Sequence, residues 1–596
     1  MIADRLSRLR ALMREHELSA YYVPTADFHL SEYLNEHFKS RAYLTGFTGS
    51  AGTLVVTPGE AALWVDGRYF IQAEKQLQGA PITLMRMGEE GVPSINEYLA
   101  ARLPDGAILG FDGRTVSAAW AAKTQMALST KNIVLEPDLD LVGQIWQDRP
   151  ALPQAPVWAL DMESAGQSAQ SKLAALREEM AQRDADAHVI ASLDDIAWLL
   201  NLRGGDVENN PVFLSFAVIE QKEAYLFAEE SKFHPCVREY LRQIGVELRP
   251  YEAVYAYART YEEGDSILLS TEKVNDTLYE ILADKAIIID AENPETLKKA
   301  VKNPVELENL RKAHIKDGLA VTRFMRWAKE TVGKEPVTEL SAAAKIDSLR
   351  FQTPGNLGLS FHTISAYGPH AALPHYSPTP ESDLTVEPRG FLLVDSGGQY
   401  YEGTTDITRT IAVGPLTEEE KLHFALVLRS MLRLANARFL HGCRGMNLDI
   451  LARGPLWDAG LDYKHGTGHG IGYLLNVHEG PNGFRWKTVP ERNDSCVLEE
   501  GMVQSDEPGI YIEGSHGVRT ENEIVCRTGE KNEYGQFMYF ETITCAPIDL
   551  DAVDPALLDE RERGQLNEYH AFVYRTLAPL MEDEEKAWLK HYTREI

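Results

Sequence analysis

Leu6, Leu9 and Met13 recur at helical spacing, so the first apolar pattern is an amphipathic stripe and not the continuous apolar core of a secretory signal. The period then shortens. A turn-rich run, Leu44-Thr45-Gly46-Phe47-Thr48-Gly49-Ser50, leads into the strand-like Thr53-Leu54-Val55-Val56. After the Pro58-Gly59 turn, Ala62-Leu63-Trp64-Val65 reads as the second arm of a hairpin, closed by Asp66-Gly67-Arg68. Prolines at 150, 153 and 156 mark a linker, and the first boundary is set at residue 152.

The second segment opens with an Ala/Glu-rich helix from Lys172 to Arg183 and then presents Ala197-Trp198-Leu199-Leu200-Asn201-Leu202-Arg203-Gly204-Gly205. Like Tyr43-Leu44-Thr45-Gly46, this apolar run and glycine turn precede a pair of strands, here Phe213 to Ile219 and Ala224 to Phe227. The parallel points to a duplicated α/β domain. The third segment begins at Asn303-Pro304-Val305-Glu306, an Asn N-cap, Pro at the first helical position and Glu at the capping-box position. Leu310, Ala313, Ala320, Phe324 and Trp327 continue on one helical face. Helices then alternate with glycine-punctuated strands to about Cys545, and an amphipathic helical tail offers Leu566, Tyr569, Phe572 and Leu577 for packing. The organisation expected is therefore 1–152, 153–302 and 303–596, in an α/β (α+β) fold.

Composition narrows the function classes. At 44% hydrophobic and 25% charged residues, the chain can bury several cores. Its formal charge of -30 repels phosphate backbones and anionic lipid, so neither nucleic acid nor a membrane surface is expected as a partner. No apolar run approaches the roughly 18 residues of a membrane span. The 5 cysteines are widely spaced without a CxxC pair, which fits a reducing cytoplasm and disfavours a zinc-thiolate site.

Chemistry concentrates late in the chain. Phe391-Leu392-Leu393-Val394 is a buried-strand run that delivers Asp395 just before Ser396-Gly397-Gly398. A carboxylate there is costly to bury unless a cation or hydrogen-bond donors meet it. Thr404 to Thr410 carries Asp406 on a polar–apolar alternation, so two antiparallel strands would join the two aspartates across a hairpin. The run His465-Gly466-Thr467-Gly468-His469-Gly470-Ile471-Gly472 is too glycine-rich for a stable helix or an ordinary strand and suits close approach to a ligand. It lacks the GKS/T ending of a phosphate loop. His478 follows shortly. Glu507 lies in a strand stopped by Pro508-Gly509, and Gly517 to Val525 resumes one with Arg519, Glu521 and Glu523 on a shared face, where Glu523 is read as solvated. Four carboxylates and one imidazole without a thiolate favour a pair of Mn²⁺, Co²⁺ or Zn²⁺ ions, which activate water for hydrolysis.

Taken together, these motifs resemble the pita-bread metallopeptidases, and within them the three-domain cytosolic aminopeptidase P (Xaa-Pro aminopeptidase) type. The resemblance covers nearly the whole chain, through Asp66-Gly67-Arg68-Tyr69-Phe70, Ile196 to Gly204, Lys302 to Glu306 and Ala313-His314-Ile315-Lys316-Asp317. It implies creatinase-like α/β domains over 1–152 and 153–302, and a pita-bread catalytic domain over 303–596 with a helical extension. By motif, Asp395 would chelate one metal, Asp406 and Glu521 would bridge both, and His469 and Glu507 would be terminal ligands on the other. Glu507 would also be the general base. His375 and His478 would stabilise the tetrahedral intermediate, His465 would line the substrate pocket, and Arg519 and Tyr511 would stand behind the ligands. Further implications are Mn²⁺ as the first choice of metal, a homodimer, and peptide substrates with proline second. The rivals are a prolidase, which takes Xaa-Pro dipeptides, and a peptide-binding pita-bread protein without catalysis.

Overall fold

The computed structural model describes residues 2–489 and 494–596. Internal contacts divide the chain into two units: Met1–Asp161 with Gln167–Glu295, and Met162–Gly166 with Thr296–Ile596.

The first unit holds two six-stranded sheets. Strands β1 (Ala20–Val23), β2 (Thr53–Val56), β3 (Ala61–Val65), β4 (Thr83–Arg86), β5 (Ile108–Gly110) and β6 (Val134–Glu136) lie in the order β4-β3-β2-β1-β5-β6. In the second sheet, β7 (Ala187–Ile190), β8 (Ser215–Glu220), β9 (Ala224–Ala228), β10 (Glu247–Arg249), β11 (Ser266–Leu269) and β12 (Ile287–Asp290) lie in the order β10-β9-β8-β7-β11-β12. The order matches strand for strand, and so do the directions. The two central hairpin pairings are antiparallel and the outer three are parallel in each. The hairpins read from Thr53–Val65 and Phe213–Phe227 are β2–β3 and β8–β9. Repetition of an entire strand order and polarity is the mark of duplication that the short apolar runs only suggested.

In the second unit, helix α1 (Pro304–Thr331) starts at the expected Asn303, whose side chain caps Val305 and Glu306 while Glu306 returns a bond to the Asn303 N–H. Helix α2 (Glu339–Phe351) follows. Strands β13 (Ile364–Tyr367), β14 (Phe391–Ser396) and β15 (Ile407–Ala412) form a three-stranded antiparallel sheet in that order. Val321, Phe324 and Met325 of α1 pack against Leu392, Val394, Ile407 and Ile411 of this sheet. Helix α3 (Glu418–Ala435) leads to a second sheet of β16 (Arg438–Leu440), β17 (Gly468–Gly470), β18 (Glu479–Phe484), β19 (Val503–Asp506), β22 (Asn522–Asn532) and β23 (Gly535–Thr542), ordered β16-β23-β22-β19-β17-β18. Between β19 and β22 the chain detours through the separate hairpin β20 (Gly509–Ile512) and β21 (His516–Arg519). Helix α4 (Glu560–Leu577) buries Leu566 and Leu577 as read from its spacing. No helix among the described residues is long and apolar enough to cross a membrane.

One close approach holds α1 to the chain beyond β23. A Cβ built on Gly318 would lie 1.8 Å from the Cys545 carbonyl oxygen. A rigid carbonyl cannot step aside as a flexible side chain can. Gly318→Ala should therefore destabilise the fold by about 1–3 kcal/mol through overpacking, exceeding the ~1 kcal/mol that alanine gains in a helix. Denaturant unfolding checks this, and a variant as stable as the parent would contradict it.

Candidate active site

The aspartate hairpin forms as read. In the β14–β15 pairing Asp395 stands opposite Thr408, and Asp406 lies two residues before that partner. Both aspartates are buried. Oδ2 of Asp395 accepts from Arg519 Nη2 at 2.6 Å, while Oδ1 of Asp395 and Oδ1 of Asp406 are buried with no hydrogen-bond donor among the described residues.

His469 arrives on β17, a three-residue strand with an irregularity after it, where the sequence reading expected no ordinary strand. The glycines explain why a strand fits. Cβ atoms on Gly468 and Gly470 would lie 1.9 Å from the Ser505 carbonyl oxygen and 2.2 Å from that of Glu479, so only glycine lets β19 and β18 close on this strand. His469 Nδ1 lies 3.0 Å from the Gly470 carbonyl oxygen. That contact assigns the proton to Nδ1 and leaves Nε2 as the electron-pair donor. Nε2 is 3.6 Å from Asp406 Oδ2 and 3.5 Å from Glu507 Oε1. Ser505 ties the two strands' functional residues together, accepting from the His469 N–H at 3.0 Å and donating to Glu507 Oε1 at 3.3 Å.

Glu521 does not lie within a strand. The single strand expected over Gly517 to Val525 breaks at Thr520-Glu521, where the chain leaves β21 for β22. At this crossing the Glu521 N–H donates to the Thr408 carbonyl at 3.2 Å and Oε2 accepts from Thr408 Oγ1 at 2.6 Å. One oxygen or nitrogen from each of Asp406, His469 and Glu521 falls within a 4.8 Å cluster.

Glu523 corrects the sequence reading. It is fully buried, not solvated: Oε1 accepts the Asp406 N–H at 2.8 Å, and Oε2 lies 2.9 Å from Nε2 of the equally buried His314. The face of β22 that carries Glu523 looks onto His314 of α1 and not onto water.

Electrostatics set the character of the cluster. Burial, then Glu521 and Asp395, raise the Asp406 pKa well above the usual carboxylate range. Burial, then Asp395 and Glu507, do the same to Glu521. Glu507 is pushed up to about 7, by burial first and by Asp395, with Arg519 acting against the rise. Like charges gathered away from water are held together only at a cost of several kcal/mol per ion unless cations join them. Two donorless carboxylate oxygens, four acidic groups and one imidazole with a directed lone pair make a donor set that fits two divalent ions.

Beside this cluster runs a polar relay. Arg519 Nη1 donates to the Tyr511 hydroxyl at 2.7 Å, and that hydroxyl meets His465 Nε2 at 2.8 Å. His465 Nδ1 lies 2.7 Å from the Gly466 carbonyl oxygen. Burial, reinforced by Arg519, holds the His465 pKa down to about 3, so the ring is neutral and takes the Tyr511 proton at Nε2. The His478 ring meets that of His469 edge-on, with centroids 4.3 Å apart. His375 is brought near by its neighbour, since Arg519 Nη2 reaches the Pro374 carbonyl at 3.4 Å.

Three supports were missed in the sequence. Asp317 of α1 takes both arms of Arg350 at 2.6 and 3.0 Å and the Tyr400 hydroxyl at 2.7 Å, and Arg350 also donates to the Ser396 carbonyl at 3.1 Å. Arg409 donates to the Glu521 carbonyl at 2.6 Å and to the Tyr569 hydroxyl of α4 at 2.9 Å, so the tail read as mere packing reaches the site. Glu479, next to His478, is paired with Lys299 at 3.0 Å and with Lys302. The lysines beside the Asn303-Pro304 start, and Asp317 within the Ala313–Asp317 run, are the signals the sequence offers for them.

Models of the Creatinase/Prolidase N-terminal domain match residues 5–140 and 148–306, that of metallopeptidase family M24 matches 308–528, and that of its C-terminal region matches 536–596. A probable Xaa-Pro aminopeptidase P of Laccaria bicolor is 39% identical over 600 residues, covering 98% of this chain and 92% of the relative. Aminopeptidase P2 of Arabidopsis thaliana is 37% identical over 639 residues, covering 100% and 89%. The crystal structure of an X-prolyl aminopeptidase from Caenorhabditis elegans, described as a cytosolic enzyme with a di-nuclear active site, superposes with a TM-score of 0.95 at 33% identity over 100% of both chains. The pita-bread metallopeptidase architecture behind creatinase-type N-terminal domains is shared along the entire length, and the chain belongs to metallopeptidase family M24, in its Xaa-Pro aminopeptidase P branch.

Proposed function

We propose that this chain is a metal-dependent aminopeptidase that hydrolyses the bond between an N-terminal residue and a following proline. The observation that carries the reading is the convergence of Asp406, His469 and Glu521 within 4.8 Å, on a scaffold shared end to end with Xaa-Pro aminopeptidases. Asp395 would hold one divalent ion, Asp406 and Glu521 both, and His469 and Glu507 the other. When bound, such a pair supplies a water activated at neutral pH and an electrophile for the scissile carbonyl.

The chain's own groups account for the remaining steps. Glu507, which Ser505 orients through a 3.3 Å bond to Oε1, would take a proton from water and hand it to the leaving proline nitrogen. Arg519 orients Asp395 through its 2.6 Å bond. His375 and His478 would donate to the charge developing on the scissile carbonyl, and neutral His465 with Tyr511 would line the substrate side. A dedicated site suits this bond because proline lacks an N–H and restricts the residue before it.

The same reading divides the chain at 152 and 302, supported by the two matching sheets, and takes manganese as the metal, a cytosolic location and a homodimer. The cytosolic location follows the Caenorhabditis elegans enzyme. Manganese and the dimer rest on the family resemblance.

Purified protein loaded with Mn²⁺ should release arginine from Arg-Pro-Pro, whereas a prolidase would cleave only Xaa-Pro dipeptides. An intact tripeptide after prolonged incubation contradicts the proposal. Glu507→Gln should lower kcat by about 10²–10⁴-fold with circular dichroism unchanged. A near-normal kcat would remove Glu507 as the base.

A further inference from the structure

A buried carboxylate outside the ligand set organises the segment that carries His375. Glu339 lies in the first turn of α2 and is fully buried. Four donors from residues 367–384 converge on it: the Tyr367 N–H at 2.7 Å, His370 Nδ1 at 2.9 Å, the Tyr376 hydroxyl at 2.7 Å and the Leu384 N–H at 3.1 Å. The Glu339 N–H in turn donates to the Leu384 carbonyl at 3.0 Å. Tyr376 and His370 stack with ring centroids 4.3 Å apart. Beyond a short 3-10 turn at Gly368–Ala372, the segment makes no regular structure of its own up to β14. Its conformation is set by these bonds together with the 3.0 Å contact of the Tyr376 hydroxyl with Ser382 Oγ.

The opposite side is fixed by the active-site hairpin. A Cβ on Gly517 would lie 1.7 Å from the Ala371 carbonyl oxygen, so β21 presses its bare backbone on the turn. Arg519 holds the Pro374 carbonyl at 3.4 Å. His375 thus stands between Pro374, tethered to Arg519, and Tyr376, tethered to Glu339.

We propose that Glu339 is a positioning residue for the peptidase reaction, setting where His375 meets the substrate by anchoring Tyr376 and His370. This rests on the reading of His375 as a substrate-side group. A carboxylate accepting several charge-assisted bonds fixes its donors more firmly than neutral contacts do, and misplacement of a catalytic group by about 1 Å costs ~10²-fold in rate.

The test is a double-mutant cycle on kcat/KM for Arg-Pro-Pro with Mn²⁺-loaded protein, with metal content measured for each variant. Glu339→Gln should lower kcat/KM by roughly 10–100-fold in the parent, with metal content unchanged, yet by less than about 2-fold when His375→Ala is already present. Tyr376→Phe, which removes one hydroxyl and leaves Glu339 intact, should show the same non-additivity at about 3–10-fold and serves if the glutamine variant does not fold. Equal losses in both backgrounds would overturn the proposal and leave the His375 reading standing. A His375→Ala variant as active as the parent would overturn both and locate the fault at His375.

Discussion

Mutual repulsion among Asp395, Asp406, Glu507 and Glu521 is the constraint that shapes the second unit. Carboxylates out of water resist burial and resist one another, and the raised pKa values of Asp406, Glu507 and Glu521 express both effects. Such a cluster persists only if the backbone beneath it cannot relax. Arg519 binds Asp395 directly, His314 and Glu523 pin the Asp406 N–H, and Arg409 grips the Glu521 carbonyl. Arg350 and Asp317 secure Ser396 from behind. Much of the buried charge in this unit is scaffolding for the four carboxylates.

The supports come from elements far apart in sequence. α1 contributes His314 and Asp317, α2 contributes Arg350, and α4 contributes Tyr569. The close contact of Gly318 with Cys545 brings α1 against the segment that contains Thr544, whose hydroxyl accepts the Glu523 N–H at 2.7 Å. The region beyond β23 is thereby part of the site's foundation.

Legibility in the sequence followed the reach of local rules. A strand run ending in Asp395, a glycine turn and a second alternating run amount to a hairpin by short-range signals alone, and the 395–406 pairing formed accordingly. The Asn303 cap of α1 is equally local. What local rules could not supply was which polar residues face protein on both sides. Glu523 alternates like a half-exposed strand residue, yet α1 covers its outer face, and that requires knowledge of a partner over two hundred residues away. The glycines around His469 argue in sequence against an ordinary strand, because no local rule announces that two neighbouring strands need the space a Cβ would fill. Glu521 at a sheet-to-sheet crossing, instead of mid-strand, is a tertiary outcome of the same kind.

Function is then a consequence of geometry that tolerates charge only with a cation present. The relay from Arg519 through Tyr511 to a neutral His465, and the segment before β14 through Pro374, adjoin the carboxylates by way of Arg519. We propose that the five side chains hold two divalent ions. Anomalous scattering from a crystal of the Mn²⁺-loaded protein tests it most directly. Two peaks are expected flanked by Asp406 and Glu521, with Asp395 on one and His469 and Glu507 on the other; a cluster without anomalous density, or ions bound elsewhere, would contradict the proposal.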